Sequence, residues 1–190
     1  AEDPRVSATL ELLDAEFDSS FPWWAEVYDP VSGGCFYSLS GKQAHDAGEA
    51  GFGPDIEATS KLVRVLEWGG LLGHVSPEFR AAIVRYFQER QDPGAGFFRD
   101  PQHVDCYSHN TLSRALGMSV GSLNRLGAEP LYPLPLDRQE DSVEAAMHFA
   151  HLKSGQAIRA WLEDLPWERR TWTVGGRLLA QAEAVEAQEP

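Results

Sequence analysis

Apolar residues recur along this chain at helical spacing, in pieces of similar length separated by Gly- and Pro-rich connections. Val6, Leu10, Leu13 and Phe17 form the stripe of one amphipathic helix. Ile56, Leu62, Val63 and Leu66 mark a second, with Asp55 and Glu57 at its start after Pro54 and Gly69-Gly70 as its stop. Ser76-Pro77-Glu78 opens a third, whose buried side is Phe79, Ile83, Tyr86 and Phe87 and which breaks at Gln91-Asp92-Pro93. A fourth covers residues 110–126, with Leu112, Leu116, Leu123 and Leu126 on one side and Gly127 at its end. Val143, Met147 and Ala150 predict a fifth helix, Ile158, Trp161 and Leu162 a sixth ended by Pro166, and Leu178, Leu179, Ala182 and Val185 a seventh. Only residues 35–39 alternate as a strand would, and they predict a short β-ribbon within a long loop at 30–50. The fold class is therefore all-α.

The connections repeat. Trp24 through Asp29-Pro30 to Gly33-Gly34-Cys35-Phe36 aligns with Phe87 through Asp92-Pro93 to Gly96-Phe97-Phe98. Each copy reads as an aromatic helix end, Asp-Pro, two spacers, Gly and an aromatic residue. A degenerate third copy runs from Trp161 and Trp167 to Trp172-Thr173-Val174-Gly175-Gly176. Pro cannot continue a helix, Asp bonds the backbone of the following turn, and Gly permits the return, so Asp29 and Asp92 read as turn formers rather than catalysts. The unit predicts one domain of three hairpins, at about 4–70, 76–127 and 139–188.

Charge changes this picture in one respect. The 190 residues carry a formal net charge of −13, of which −10 falls in residues 1–60, +1 in 61–130 and −4 in 131–190. Such a balance argues against a nucleic-acid or anionic-membrane binder. The acidic first third reads as a solvated surface; the sharper alternative is the rim of a site for a cation or a polyhydroxyl ligand. No apolar run is long enough to span a membrane, so a soluble protein is expected, cytoplasmic or secreted. Ala1-Glu2-Asp3-Pro4 resembles neither a signal peptide nor an initiating Met, which suggests a removed leader or tag or a chain cut from something longer. Cys35 and Cys106 could form one disulfide and no framework.

The segment from Tyr86-Phe87-Gln88 to Asp92-Pro93-Gly94-Ala95-Gly96-Phe97 resembles the Gln-Trp type repeat of terpenoid cyclases and protein prenyltransferase subunits, with Phe97 where those usually carry Trp. The first copy, Trp23-Trp24 to Gly33-Gly34-Cys35-Phe36, is similar to the opening hairpin of the N-acylglucosamine 2-epimerase group. Both groups are α/α toroids, so the resemblance implies helical hairpins around a central pocket. It implies no reaction, because the Asp-x-Asp-Asp and Asp-Asp-x-x-Asp acid motifs and the Asp-x-Cys zinc pair of those families are missing. Three hairpins plus an N-terminal helix make about half of a six-hairpin ring, so a second copy of the chain, another chain or a further C-terminal part of a larger toroid, of which this chain would be a fragment, is expected to complete it. A small closed three-hairpin bundle is the alternative.

In such rings ligands sit where the N-termini of inner helices converge, which singles out three places. Asp55 and Glu57 offer two carboxylates that either cap and charge-match their helix or act as general acid and base. His103, Asp105, Cys106, Tyr107, His109 and Asn110 form the densest group of reactive side chains. His103, Cys106 and His109 are weak metal candidates, since their spacing matches no established zinc pattern. No cofactor is predicted, and a divalent metal remains open. His109 as a proton-transfer residue beside Tyr107 is weighed against His109 or Asn110 capping the next helix. Trp172, with Trp24, could stack on sugar rings, although aromatic residues at helix ends more often pack. Glu140-Asp141 reads as the cap of the fifth helix. These residues predict a carbohydrate-processing enzyme that uses acid/base chemistry: Asp55, Glu57 and His109 handle protons, and Tyr107, Asn110, Trp172 and Trp24 contact a small-molecule or oligosaccharide ligand. The alternatives are a terpenoid-cyclase-like or prenyl-binding protein and a non-catalytic helical interaction module.

Overall fold

A computed structural model describes residues 4–102, 107–168 and 170–188. Its helices in chain order are α1 (Pro4–Val27), α2 (Leu39–Asp46), α3 (Ile56–Trp68), α4 (Pro77–Gln88), α5 (His109–Arg125), α6 (Val143–His148), α7 (Gly155–Glu163) and α8 (Thr171–Glu186), with short 3-10 turns at Pro135–Arg138 and Ala150–Leu152. No sheet occurs among the described residues. The ribbon expected at 35–39 is reduced to isolated bridges from Cys35 to Tyr28 and to Asp55. The expected long loop instead holds α2, started by Ser38, whose hydroxyl accepts from Gly41 N–H.

Local signals place most helix starts. Asp55 Oδ1 accepts from Ala58 N–H at 2.7 Å, and Ser76 Oγ accepts from Phe79 N–H at 3.2 Å with Pro77 just inside the helix. Two starts differ from expectation. Ser108 caps α5 through Thr111 N–H, which frees His109 and Asn110 from that duty. Ser142 caps α6, so Glu140-Asp141 lie just outside the cap. Val143 and Met147, expected to be buried, are 77 % and 73 % exposed. Ala145, His148 and Phe149 carry that helix's inward side instead. On α1 only the end from Phe17 onward packs on the core; Val6, Leu10 and Leu13 face solvent, together with the acidic Glu11, Asp14 and Asp18.

The sequence repeat is a structural repeat with an offset of 63 residues. Asp29 N–H donates to Gly34 O and Asp92 N–H to Phe97 O. Gly33 N–H donates to Asp29 O and Gly96 N–H to Asp92 O. Phe36 N–H donates to Val27 O and Arg99 N–H to Arg90 O, each of these bonds being 2.7–3.0 Å long. In both turns the Asp carboxylate accepts backbone N–H groups, Val31 and Ser32 in one and Gly94 and Ala95 in the other. Gly33 and Gly96 have φ of 83° and 79°, and a Cβ at either would meet a carbonyl oxygen at 2.3–2.4 Å. Only glycine fits these returns.

Helix α5 packs between α3 and α8. Behind this three-helix layer lies a core built from Ile83, Tyr86 and Phe87 of α4, Phe97 and Phe98 of the second turn, and Leu112, Leu116 and Leu123 of α5. One buried carboxylate ties the parts together. Asp100 accepts from Ile56 N–H with both oxygens at 3.1 Å, from Arg90 Nε at 3.3 Å and from Tyr107 Oη at 3.3 Å. The Arg90 guanidinium in turn lies 3.4 Å from the Tyr86 ring centroid. Replacing Asp100 with Ala would strand a buried guanidinium and an N-terminal N–H of α3. Chemical denaturation of D100A is expected to show a loss of about 3–5 kcal/mol relative to the wild type. D100N, which keeps an acceptor, is expected to lose distinctly less.

Candidate functional site

The N-termini of α5 and α8 border a cleft of about 840 Å³. Asn110 and Arg114 line it from α5, and Thr171, Trp172, Thr173 and Glu183 from α8. Gly175 and Gly176 add no side chains, so the α8 backbone is open to the cleft. Trp172 is 94 % exposed and its indole faces have no packing partner among the described residues. A second hollow of about 500 Å³ shares Glu183 and continues past Gly117, Gly121 and Arg125. Positions 110, 114, 117, 121 and 125 recur at intervals of three or four residues, so cleft and hollow follow one face of α5. Two ion pairs bridge that face to α3: Arg114 to Glu57 at 2.9 Å and Arg125 to Glu67 at 2.7 Å.

Glu57 also pairs with Lys61 at 2.9 Å. Burial alone would raise its pKa, but Lys61 and Arg114 outweigh that effect and hold the carboxyl below its ordinary range. It is therefore a carboxylate at neutral pH, suited to accept a proton or to fix Arg114, and poorly suited to donate. Asp55 caps α3 with its carboxylate. Tyr107 is occupied by Asp100, whose backbone N–H donates to its oxygen at 2.7 Å. Burial and the Asp100 charge push the Tyr107 phenol up to about 12. Trp24 meets Trp23 edge to face, with ring centroids 4.9 Å apart, and borders a separate apolar hollow of about 420 Å³ with Phe21, Leu62, Leu66 and Phe79. Of the residues expected from sequence, Asn110 and Trp172 share the cleft and Glu57 reaches it through Arg114. Arg114 and Glu183, which the sequence reading passed over, complete it; the only sequence signal for Arg114 was its place one turn beyond Asn110.

His109 turns the other way. Its Nε2–H donates to Gln181 Oε1 of α8 at 2.9 Å, and its ring stacks on His148 with centroids 3.9 Å apart and planes 13° from parallel. Ser113 Oγ–H donates to His109 O at 3.1 Å, which leaves its oxygen to accept from His148 Nε2–H at 2.9 Å. His151 stands 5.6 Å from His109 by ring centroids and stacks on Trp161 at 4.5 Å. Asp55, Glu57 and His109 are thus not gathered at one point: the carboxylates face α3 and α5, and the imidazole joins α5 to α8 and the 148–151 segment. His103, Asp105 and Cys106 lie outside the described residues. Among the described residues no group of three or more His, Cys, Asp or Glu side chains is placed to hold a metal ion. Cys35 is a buried free thiol, pushed up to about 12 by burial and by the Asp55 and Asp29 charges. No helix among the described residues is long and apolar enough to cross a membrane.

No family model, curated protein or solved structure matches the chain. The site must be read from its own geometry.

The stacked imidazoles make stability depend on pH. Burial, the neighbouring His109 and His151 rings and the Arg99 charge hold His148 down to about 3, so the folded protein keeps it neutral where the unfolded chain, near 6.5, would take up a proton. Its contribution is fully present above pH 6.5 and is lost as pH falls from there towards 3. Unfolding free energy measured at pH 7.5, 6 and 5 is expected to fall more steeply for the wild type than for H148N. The difference in slope is expected to approach one proton, about 1.4 kcal/mol per pH unit.

Proposed function

We propose that this protein processes or binds a carbohydrate in the cleft between α5 and α8, on a partial ring of helical hairpins of α/α-toroid type. One observation carries the reading: an unpacked indole, Trp172, stands over a cleft that combines the apolar Leu179 and Ala180 with five hydrogen-bonding side chains, Asn110, Arg114, Thr171, Thr173 and Glu183. An aromatic face beside amides, hydroxyls and paired charges matches the two surfaces of a pyranose ring, its apolar C–H face and its hydroxyl rim. A prenyl chain would leave those polar groups unpaired, which disfavours the terpenoid alternative for this cleft. Glu57, ionised and held by Arg114, is the carboxylate we assign to proton transfer, as a general base. His109 serves the chemistry only by fixing the start of α5 against α8.

The test is a thermal-shift and calorimetric screen with neutral oligosaccharides and isoprenoid diphosphates, followed by variants. A sugar is expected to stabilise the fold saturably. W172A is expected to weaken it about tenfold. E57Q is expected to bind sugar while losing any turnover that the screen uncovers. A saturable shift with isoprenoids and none with any sugar would overturn the reading.

A second reading concerns the partner. Trp172 and Leu179 leave one side of α8 apolar and exposed, while α5 has a helix on both sides. This supports a second copy closing the ring against α8. Sedimentation is expected to show a species of twice the chain mass that L179D converts to the single chain.

A further inference from the structure

One face of α1 runs from the core into solvent without a break. Val6, Leu10, Leu13, Phe17, Phe21 and Trp24 follow one another at steps of three or four residues and so form a single apolar stripe. From Val6 to Trp24 it is about 27 Å long, which a helix of about five turns matches. Its two ends differ in what covers them. Phe21 and Trp24 pack on the core, whereas Val6, Leu10 and Leu13 are 56 %, 55 % and 63 % exposed. A lone helix as short as this overhang is marginal in water, so a partner laid on its apolar side supplies the packing that the chain itself does not.

At its covered end the stripe borders the apolar hollow between α1, α3 and α4. Phe21, Trp24 and Tyr28 wall it from α1, Leu62 and Leu66 from α3, and Phe79 from α4. At about 420 Å³ it has room for a large side chain. An extended apolar stripe that ends at a pocket fits an amphipathic helix with one bulky anchor.

Charge then selects the helix. By helical angle, Asp14 and Asp18 lie along one border of the stripe and Glu16 along the other. Among the described residues none of these carboxylates, nor that of Glu11, has an ion pair, and Arg5 is the only basic residue of the overhang. A second copy of this chain fits poorly here. Its α1 would bring the same acidic borders, and the exposed side of its α8, which carries Leu179, has Glu183 and Glu186 beside it. We propose that the overhang of α1 and the adjoining hollow dock one amphipathic helix of another protein: its apolar seam lies along Val6, Leu10 and Leu13, Lys or Arg on its flanks faces Asp14, Glu16 and Asp18, and one large apolar side chain sits in the hollow. The surface is independent of the carbohydrate cleft and uses none of its residues.

Titration of the full chain with a labelled three-heptad peptide, Leu at its a and d positions and Lys at e and g, tests the proposal by fluorescence anisotropy. The flanking lysines keep this probe from pairing with itself. Saturable binding of one peptide per chain is expected. A peptide with Glu in place of Lys, and a scrambled peptide of the same composition without the seam, are each expected to bind at least about tenfold more weakly. L10D, at an exposed position, is expected to weaken the Lys peptide about tenfold or more while leaving the unfolding midpoint within a few degrees of the wild type. D14K/E16K is expected to reverse the order of the Lys and Glu peptides, a change that a loss of helix structure would not produce. A25W, which fills the hollow from an exposed position at its margin, is expected to weaken the Lys peptide as well. Four outcomes would overturn the proposal: no saturable binding of the Lys peptide; scrambled or Glu-flanked peptide binding as tightly; binding undisturbed in L10D; or a dimer in sedimentation that L10D dissociates and L179D does not, which would give this face to a second copy.

Discussion

The Asp100 carboxylate is the constraint on which the rest of this structure depends. It sits at the end of the second Asp-Pro turn, yet its main partner is the first helical N–H of α3, 44 residues earlier, and its others are Arg90 at the end of α4 and Tyr107 just before α5. Burial pushes its pKa up, while the Ile56 N–H, Arg90 and Tyr107 pull the other way. A carboxylate taken out of water survives only with such a full set of donors, so its position admits little movement. The starts of α3 and α5 are therefore pinned to one buried point. That shared level allows Glu57, one residue inside α3, to meet Arg114, one turn inside α5, and so to reach the edge of the cleft.

What could be read from sequence and what could not divides along the range of the interactions. The Asp-Pro turns were legible because every backbone partner of Asp29 and Asp92 in them lies within five residues, and the 63-residue offset repeats the same bonds. Starts at Asp55 and Ser76 were legible for the same reason. Ser108 was overlooked because His109 and Asn110 beside it drew the chemical reading, although a Ser followed by a polar turn is the commoner cap. Helix α2 was hidden because its mostly polar sequence carries no apolar stripe. Val143 and Met147 have helical spacing, but the face they mark turns outward, since Ala145, His148 and Phe149 make the contacts. Asp100 and Arg114 could not be singled out at all: each owes its role to a partner more than forty positions away, Ile56 for Asp100 and Glu57 for Arg114.

The candidate site shows the same division. Asn110 and Trp172 could be named from their place at helix starts, and the fold brings both to one cleft. His109 could be named from its type, but its direction could not, because an imidazole at the first position of a helix is free to point to either side. A polar partner on α8 decides it. Gln181 offers an acceptor at 2.9 Å, and Ser113, one turn along α5, completes a bonded set that lets two imidazoles stack in a space otherwise lined by Phe97 and Phe149.

Helix α8 consequently has two chemical faces, and this explains a composition that otherwise looks unfavourable. A helix with Gly175 and Gly176 near its start and an unpacked Trp172 has low intrinsic stability. Its packing on α5 compensates through small residues: Gly117 lets Glu183 approach so closely that a Cβ there would stand 3.1 Å from the Glu183 Cβ. The side of α8 that carries Ala180 and Glu183 borders the cleft shared with α5, while the side that carries Gln181, Ala182 and Val185 borders a hollow of about 440 Å³ that Leu152 and Trp161 close from the other side. Because one rigid helix forms a wall of each, any shift of α8 that tightens one pocket changes the other. The bond between His109 and Gln181 sets the spacing between α5 and α8 and thereby the width of the cleft. The buried imidazoles thus belong to the geometry of the site even though none of them lines it.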